Sequence, residues 1–275
     1  MKSLEDVYKD GENLLCKSEI TDAKLDAWYL MEYVFHINRI EYYMNPKKDI
    51  DDSLYEKYMR YIKERAKHIP LQHIIGVAEF MGMEYIVSPD VLIPRQDTEC
   101  LILEVLKYAN NKSVLDMCTG SSCIITSLAK LCHLKCAVGV DISLRALEIA
   151  KKNIKKHNVN VELIQSNLFD RIEGRFDIIV SNPPYIKSEV INELMPEVKD
   201  HEPITALDGF EDGLYFYREI IKVAKNYLTE GGMIFFEIGH DQGDEVKRLL
   251  EESDYHSVQI LKDLAGLDRV VFANL

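Results

Sequence analysis

The chain has 275 residues, 33 Lys and Arg against 46 Asp and Glu, a formal net charge of −13 and a pI near 5.1. At roughly 100–200 residues per domain the length predicts two domains, or one with an appendage. A hydrophobic content of 47% with 29% charged residues excludes global disorder, and the acidic balance disfavours any partner held by uniform phosphate neutralisation, which takes a basic surface.

The first seventy or so residues read as helices. Thr21 and Asp22 stand as an N-terminal cap, and Ala23, Ala27, Leu30, Met31 and Val34 then recur at helical spacing. From Asp52, Leu54, Tyr58, Ile62 and Ala66 form an i+4 stripe that ends before Pro70. This part carries a net charge of −2, which leaves −11 for the rest. Between Leu71 and Arg95 the period changes: Phe80, Met81, Tyr85, Ile86 and Val87 surround Gly82, which predicts a hairpin. Beyond it, five short apolar runs (Ser113 to Met117, Cys136 to Val140, Val161 to Gln165, Phe176 to Val180, Met233 to Ile238) alternate with helical patterns (Ile124 to Leu131, Leu144 to His157, Leu214 to Leu228). That alternation predicts a parallel sheet with helices on both faces. Two last runs, Ser257 to Leu261 and Arg269 to Ala273, are joined by a loop too short for a crossover helix, so they are expected to pair antiparallel. The fold class is thus α/β, and a mostly parallel sheet closed by an antiparallel hairpin is similar to the Rossmann-like sheet of class I methyltransferases. The expected division is a helical domain over 1–75, a β-hairpin linker over 76–95 and a sheet domain over 96–275.

Two segments carry the signal for a cofactor. Asp116 ends the first strand and is followed by Cys118, Thr119, Gly120, Ser121 and Ser122 before an apolar helix. A turn of small residues there lets a ligand approach the backbone and the helix N-terminus. Asp141 ends the second strand, where an acid can accept both hydroxyls of an adenosine ribose. GxGxxG is absent, which argues against a nicotinamide dinucleotide and leaves S-adenosylmethionine. After the third strand, Asn167 and Leu168 either meet an adenine or form an ordinary turn.

Asn182, Pro183, Pro184 and Tyr185 follow the fourth strand, which flanks the switch in strand order where open α/β sheets bind ligands. The two prolines fix their own φ and restrict the residue before them. The Asn182 amide oxygen and the Pro183 carbonyl then suit a planar NH₂ group, with Tyr185 against the planar system. Accepting both N–H bonds frees the nitrogen lone pair and stabilises the charge that develops on it. Catalytic roles therefore fall on Asn182, Pro183 and Tyr185, and substrate binding on Asn182 through Tyr185.

With Asp116, Asp141 and NPPY in that order, the chain resembles the S-adenosylmethionine-dependent methyltransferases of planar nitrogens. PLQHIIGVAEFMG, VLIPRQDTE, LDMCTGSSCI, SNPPYI, HEPITALDGFEDGLYFYREI and EIGHDQGDEV, between Pro70 and Val246, are similar to the PrmC/HemK family. The resemblance implies methyl transfer to N5 of the glutamine in the GGQ motif of class-I peptide chain release factors, with S-adenosylhomocysteine as the other product. It implies a cofactor site at Cys118, Thr119, Gly120, Ser121, Ser122, Asp141, Leu168 and Asn182, and a helical domain that docks the protein substrate. Cys118 and Ser122 stand where the family commonly has glycine, which is expected to restrict the turn. The other reading of NPPY is an amino-methyltransferase of a DNA or RNA base.

Arg95, Asp97 and Glu99 read either as part of a linker covering the cofactor pocket or, the favoured reading, as surface ion pairs orienting the two domains, and Glu202 and Asp212 as groove residues or helix caps. The histidines and the six cysteines show no metal-ligand spacing, so no metal is expected and the thiols are taken as reduced. The first ten residues hold three acids and no apolar stretch, and the uncharged run Met117 to Ala129 is too short to span a bilayer. The expectation is a cytoplasmic monomer with no membrane or nucleic-acid partner.

Overall fold

The computed structural model describes residues 2–275, which form two compact units. The first contains residues up to Gly76 together with Met195–His201; the second contains Val77–Leu194 and Glu202–Leu275.

In the first unit β1 (Lys2–Ser3) pairs antiparallel with β2 (Asp49–Ile50), and around this short ladder pack α1 (Leu4–Lys17), α2 (Ala23–Phe35), α3 (Arg39–Met44), α4 (Asp52–Arg65) and α5 (Leu71–Ile75). Ser3 and Asp6 make a reciprocal capping box on α1, and Asn38 and Glu41 make another on α3, each satisfying orphan N–H groups of the first turn. The expected cap of α2 is only half right. Asp22 occupies the cap position but its side chain makes no capping bond. Val7, Leu15, Ala27, Leu30, Met31, Tyr58 and Ile62 are fully buried together, so the two stripes read from the sequence face one core, although Leu54 stays exposed. At about 1.5–3 kcal/mol for each large apolar side chain removed from water, this packing supplies most of what holds such short helices.

The second unit opens with the hairpin β3 (Val77–Phe80) and β4 (Met83–Ile86). Met81 and Gly82 both have positive φ (52° and 67°), the signature of a two-residue primed turn. The hairpin is anchored from within this unit: Asn153 takes the Ile86 N–H at 2.7 Å and donates to the Ile86 and Ser121 carbonyls at 3.0 Å each.

After α6 (Thr98–Val105) come β5 (Ser113–Met117), α7 (Cys123–Leu131), β6 (Cys136–Asp141), α8 (Leu144–His157), β7 (Glu162–Gln165) and β8 (Phe176–Ser181). The four-residue helix α9 (Pro196–Lys199) belongs to the first unit. The chain ends with α10 (Tyr215–Ala224), β9 (Leu228–Glu237), α11 (Gly243–Glu252), β10 (His256–Lys262) and β11 (Asp268–Asn274). The seven-stranded sheet runs β10-β11-β9-β8-β5-β6-β7, parallel except where β11 meets β9 and β10. Successive residues of β5 and β8 point to opposite faces: Leu115, Met117 and Ile179 join one core with α10 and α11, while Val114, Ile178 and Val180 join the other with α6 and α7. Strands covered on both faces are apolar at nearly every position, which is why they are visible in the sequence as continuous runs.

One expectation needs correction, and two helices lie outside the expected set. The helical pattern read as reaching Leu228 ends at Ala224, because Leu228 already pairs with Phe176 at the start of β9. A register shift follows before Ile178 meets Met233, with Gly231 at positive φ in the intervening stretch. The helices α6 and α11 were not read from the pattern at all.

Candidate active site

The strand order reverses between β5 and β8, and a cavity of about 380 Å³ opens at the carboxyl ends of these strands. Its wall includes Cys118, Thr119, Gly120 and Ser121 after β5, Asp141 after β6, Leu168 after β7, and Asn182 and Pro184 after β8. The size and the few polar groups in a largely apolar wall suit a small-molecule ligand.

The turn after β5 is tightly coiled. Cys118, Gly120 and Ser122 have φ of 63°, 53° and 65°, and the Ser122 N–H donates to the Thr119 carbonyl at 2.8 Å. Glycine adopts this conformation freely, whereas Cys118 and Ser122 do so at a cost of about 1–2 kcal/mol each. The departures from glycine seen in the sequence are therefore strained positions. Ser122 does not line the cavity. It is fully buried, with its hydroxyl 3.0 Å from Thr126 Oγ1 and 3.4 Å from the Ala150 carbonyl.

Two acids frame this turn. Asp141 accepts the Gly120 N–H at 2.8 Å on one oxygen and the Ser143 N–H at 2.9 Å on the other. Burial raises its carboxyl above the ordinary range, against the pull of those amides. Asp116 is fully buried: it accepts the Thr119 hydroxyl at 2.6 Å on one oxygen, and the other has no partner. Burial pushes it up to about 7. The paired backbone donors leave each Asp141 oxygen one lone pair for a diol, and Leu168 and Ile142 supply an apolar wall, so the residues present fit an adenosine-bearing cofactor.

Asn182 lines the cavity, and its amide nitrogen donates to the buried Thr98 hydroxyl at 3.4 Å. The Pro183 and Tyr185 side chains are not among its lining residues, and Tyr185 packs against the sheet core. The Tyr185 backbone is clamped. Gln242 donates to its carbonyl at 3.0 Å, and a Cβ on Gly209 or Gly213 would stand 2.8 Å from Tyr185 Cα or 2.4 Å from its carbonyl oxygen. Ile186, next in the chain, exchanges backbone bonds with Leu207 and Gly209 at 3.0 and 2.7 Å. Sequence reasoning gave no role to these two glycines or to Gln242. A Gly-x-x-x-Gly spacing just before a helix was the available signal.

The remaining acids form ion pairs and hydrogen bonds within this unit. Arg95, which lines the cavity, bonds Glu202 at 2.5 Å, and Glu202 also accepts the Ile93 N–H at 3.3 Å. Asp97 meets Arg269 at 3.2 Å, Glu99 accepts the Met81 N–H at 2.7 Å, and Asp212 holds Arg218 by two bonds and the Leu214 N–H. Among the described residues no helix is long and apolar enough to cross a membrane.

This sheet order, with an acid-pinned turn and NPPY on one cavity, defines a class I methyltransferase. Residues 6–76 match the model of the PrmC N-terminal domain, and residues 96–198 that of the methyltransferase small domain. The chain is 39% identical to the release factor glutamine methyltransferase of Clostridium botulinum, over 98% of each chain, and 42% identical to that of Clostridium acetobutylicum, over 90% of each. It belongs to the release factor glutamine methyltransferase family. Among solved structures, a methyltransferase from Pyrococcus furiosus superposes on 70% of this chain and 89% of its own, with a TM-score of 0.54 at 18% identity, a likeness of fold alone.

Proposed function

We propose that the chain transfers the methyl group of S-adenosylmethionine to the side-chain amide nitrogen of the GGQ glutamine in class-I release factors. The observation that carries this reading is that Asn182 and Pro184 share one cavity wall with Gly120 and Asp141, so a planar amide and an adenosine cofactor can meet there. Asp141 is assigned to the ribose, the backbone of Cys118 to Ser121 to the methionine side, and Leu168 to the adenine. The bound cofactor supplies an electrophilic methyl on a sulfonium centre. Asn182 Oδ1 and the Pro183 carbonyl accept the two N–H bonds of the glutamine amide. Its lone pair is thereby turned out of conjugation, and the positive charge that grows on nitrogen in the transition state meets two preorganised acceptors. The proton leaves afterwards, so no base is required before attack.

Recognition of the protein substrate is assigned to the helical unit, where Ile40, Tyr43 and Met44 of α3 are each at least 70% exposed. The test is transfer of labelled methyl groups to purified release factor, with the GGQ glutamine replaced by alanine as control, beside duplex DNA and ribosomal RNA. Label in the intact factor alone is expected. Label in nucleic acid and none in the factor overturns the reading in favour of a base methyltransferase.

A further inference from the structure

β8 and β9 run parallel with Ser181 opposite Phe236, so Asn182, the first residue after β8, follows beside Glu237, the last residue of β9, which is still paired with Val270 of β11. Glu237 is 1% exposed, and its Oε2 has no hydrogen-bond partner. Thr98, 2% exposed, takes the Asn182 amide nitrogen on its hydroxyl oxygen, and both side chains stand close enough to the Glu237 carboxyl to favour its ionised form. The sequence shows only an acid within the apolar run Met233 to Ile238, and the mechanism above does not use it.

We propose that Glu237 is a positioning residue that, with Thr98, holds the NH₂ edge of the Asn182 amide and so keeps Oδ1 as the edge offered to the substrate nitrogen. The inference rests on the two-acceptor reading of NPPY. An Asn amide has one accepting and one donating edge, and rotation by a half-turn exchanges them. With the edges exchanged, an N–H points at an incoming NH₂ and the site is inactive. An ionised carboxylate only accepts, so it favours the NH₂ edge; Thr98 cannot discriminate alone, because a hydroxyl both donates and accepts. A protonated Glu237 becomes a donor and tolerates the reversed amide.

Burial pushes the Glu237 carboxyl up to about 7. The titratable groups around it are Arg269 on β11, Asp97 before α6, Cys100 on α6, Cys123 on α7, Tyr185 after β8 and Tyr217 on α10. Of these only Arg269 favours the ionised form. The active arrangement therefore fills as pH rises through Glu237's titration.

The test measures kcat against pH for wild type, Glu237→Gln, Thr98→Val and Thr98→Ser, on whichever acceptor the wild type labels, with cofactor affinity by calorimetry and Tm for each variant. The acceptor identifies the substrate independently, so label in nucleic acid overturns the function proposed above while the Glu237 comparison runs unchanged. Wild-type kcat is expected to rise through about pH 7. Glu237→Gln is expected to lose roughly 100-fold in kcat, as for a slightly misplaced group, and to lose that acid limb, with cofactor affinity within about threefold by the same reasoning. Thr98→Val is expected to fall in the same direction and Thr98→Ser to restore the rate, which decides the matter if Glu237→Gln does not fold. Wild-type kcat with an unchanged acid limb in Glu237→Gln overturns the inference, because the limb then belongs to another group such as Asp116; wild-type kcat in Thr98→Val overturns it as well.

Discussion

Asp141 accepts the Gly120 N–H at 2.8 Å, so the acid at the end of β6 pins the turn that follows β5. Its other oxygen takes the Ser143 N–H at 2.9 Å. Asp141→Ala removes both diol acceptors and strands two amides. It is expected to weaken S-adenosylmethionine binding at least tenfold, about 1.4 kcal/mol or more, by calorimetry. Turnover at saturating cofactor is expected to change less, and Asp141→Asn to fall between.

Asn182→Ala leaves the Asp141 end of the cavity intact and removes one of two acceptors at the nitrogen. Loss of a preorganised transition-state contact of this kind costs roughly 10²–10³ in kcat. The same variant is expected to bind cofactor only a few-fold more weakly; a rate near wild type contradicts the two-acceptor mechanism.

Gly213 combines a φ of 74° with a Cβ position 2.4 Å from the Tyr185 carbonyl oxygen. Gly213→Ala is therefore expected to cost about 2–3 kcal/mol, seen as a drop in Tm of roughly 4–12 °C. It should also lower kcat more than it weakens cofactor binding, because the displaced backbone belongs to NPPY.

Asp116 and Glu237 are both buried and both pushed up to about 7, above the usual values of 3.8 and 4.5. Between those limits the folded chain holds protons that the unfolded chain has released. Stability is accordingly greatest below about pH 4 on account of these two groups and declines as pH rises to 7, by on the order of 3–4 kcal/mol for each. Urea titrations at pH 5 and pH 8 are expected to show the decline, and Asp116→Asn to flatten it. A steeper slope in Asp116→Asn contradicts the assignment.

The sheet was legible because buried parallel strands are apolar on both faces, and α8 was read with its observed bounds because Ser143 caps it and Asn158 ends it in the left-handed conformation. The first turn of α11 was hidden because Gly243 begins it, and Gln242 spends its side chain on Gly239, Gly213 and Tyr185 instead of a cap. Helix α6 has only eight residues, and Asp97 at its start makes no capping bond. In the site, Asn182 and Asp141 were legible because each stands at a strand end in a distinctive setting. Glu237 and Thr98 were not, since their meaning comes from neighbours 55 and 84 positions away that only the sheet register brings together.

The first unit is closed by two stretches of chain. Arg65, 7% exposed, bonds Asp26 at 2.6 Å and, at 3.0 Å, Glu197, which is made 132 residues later. Without Glu197 the buried guanidinium keeps Asp26 but loses a charge-assisted hydrogen bond worth about 1.5–3 kcal/mol, a sizeable share of the stability of a small unit. During synthesis at roughly 5–20 residues per second, the helices of this unit therefore wait on the order of ten seconds for their last partner. They are made ahead of NPPY and completed only after it.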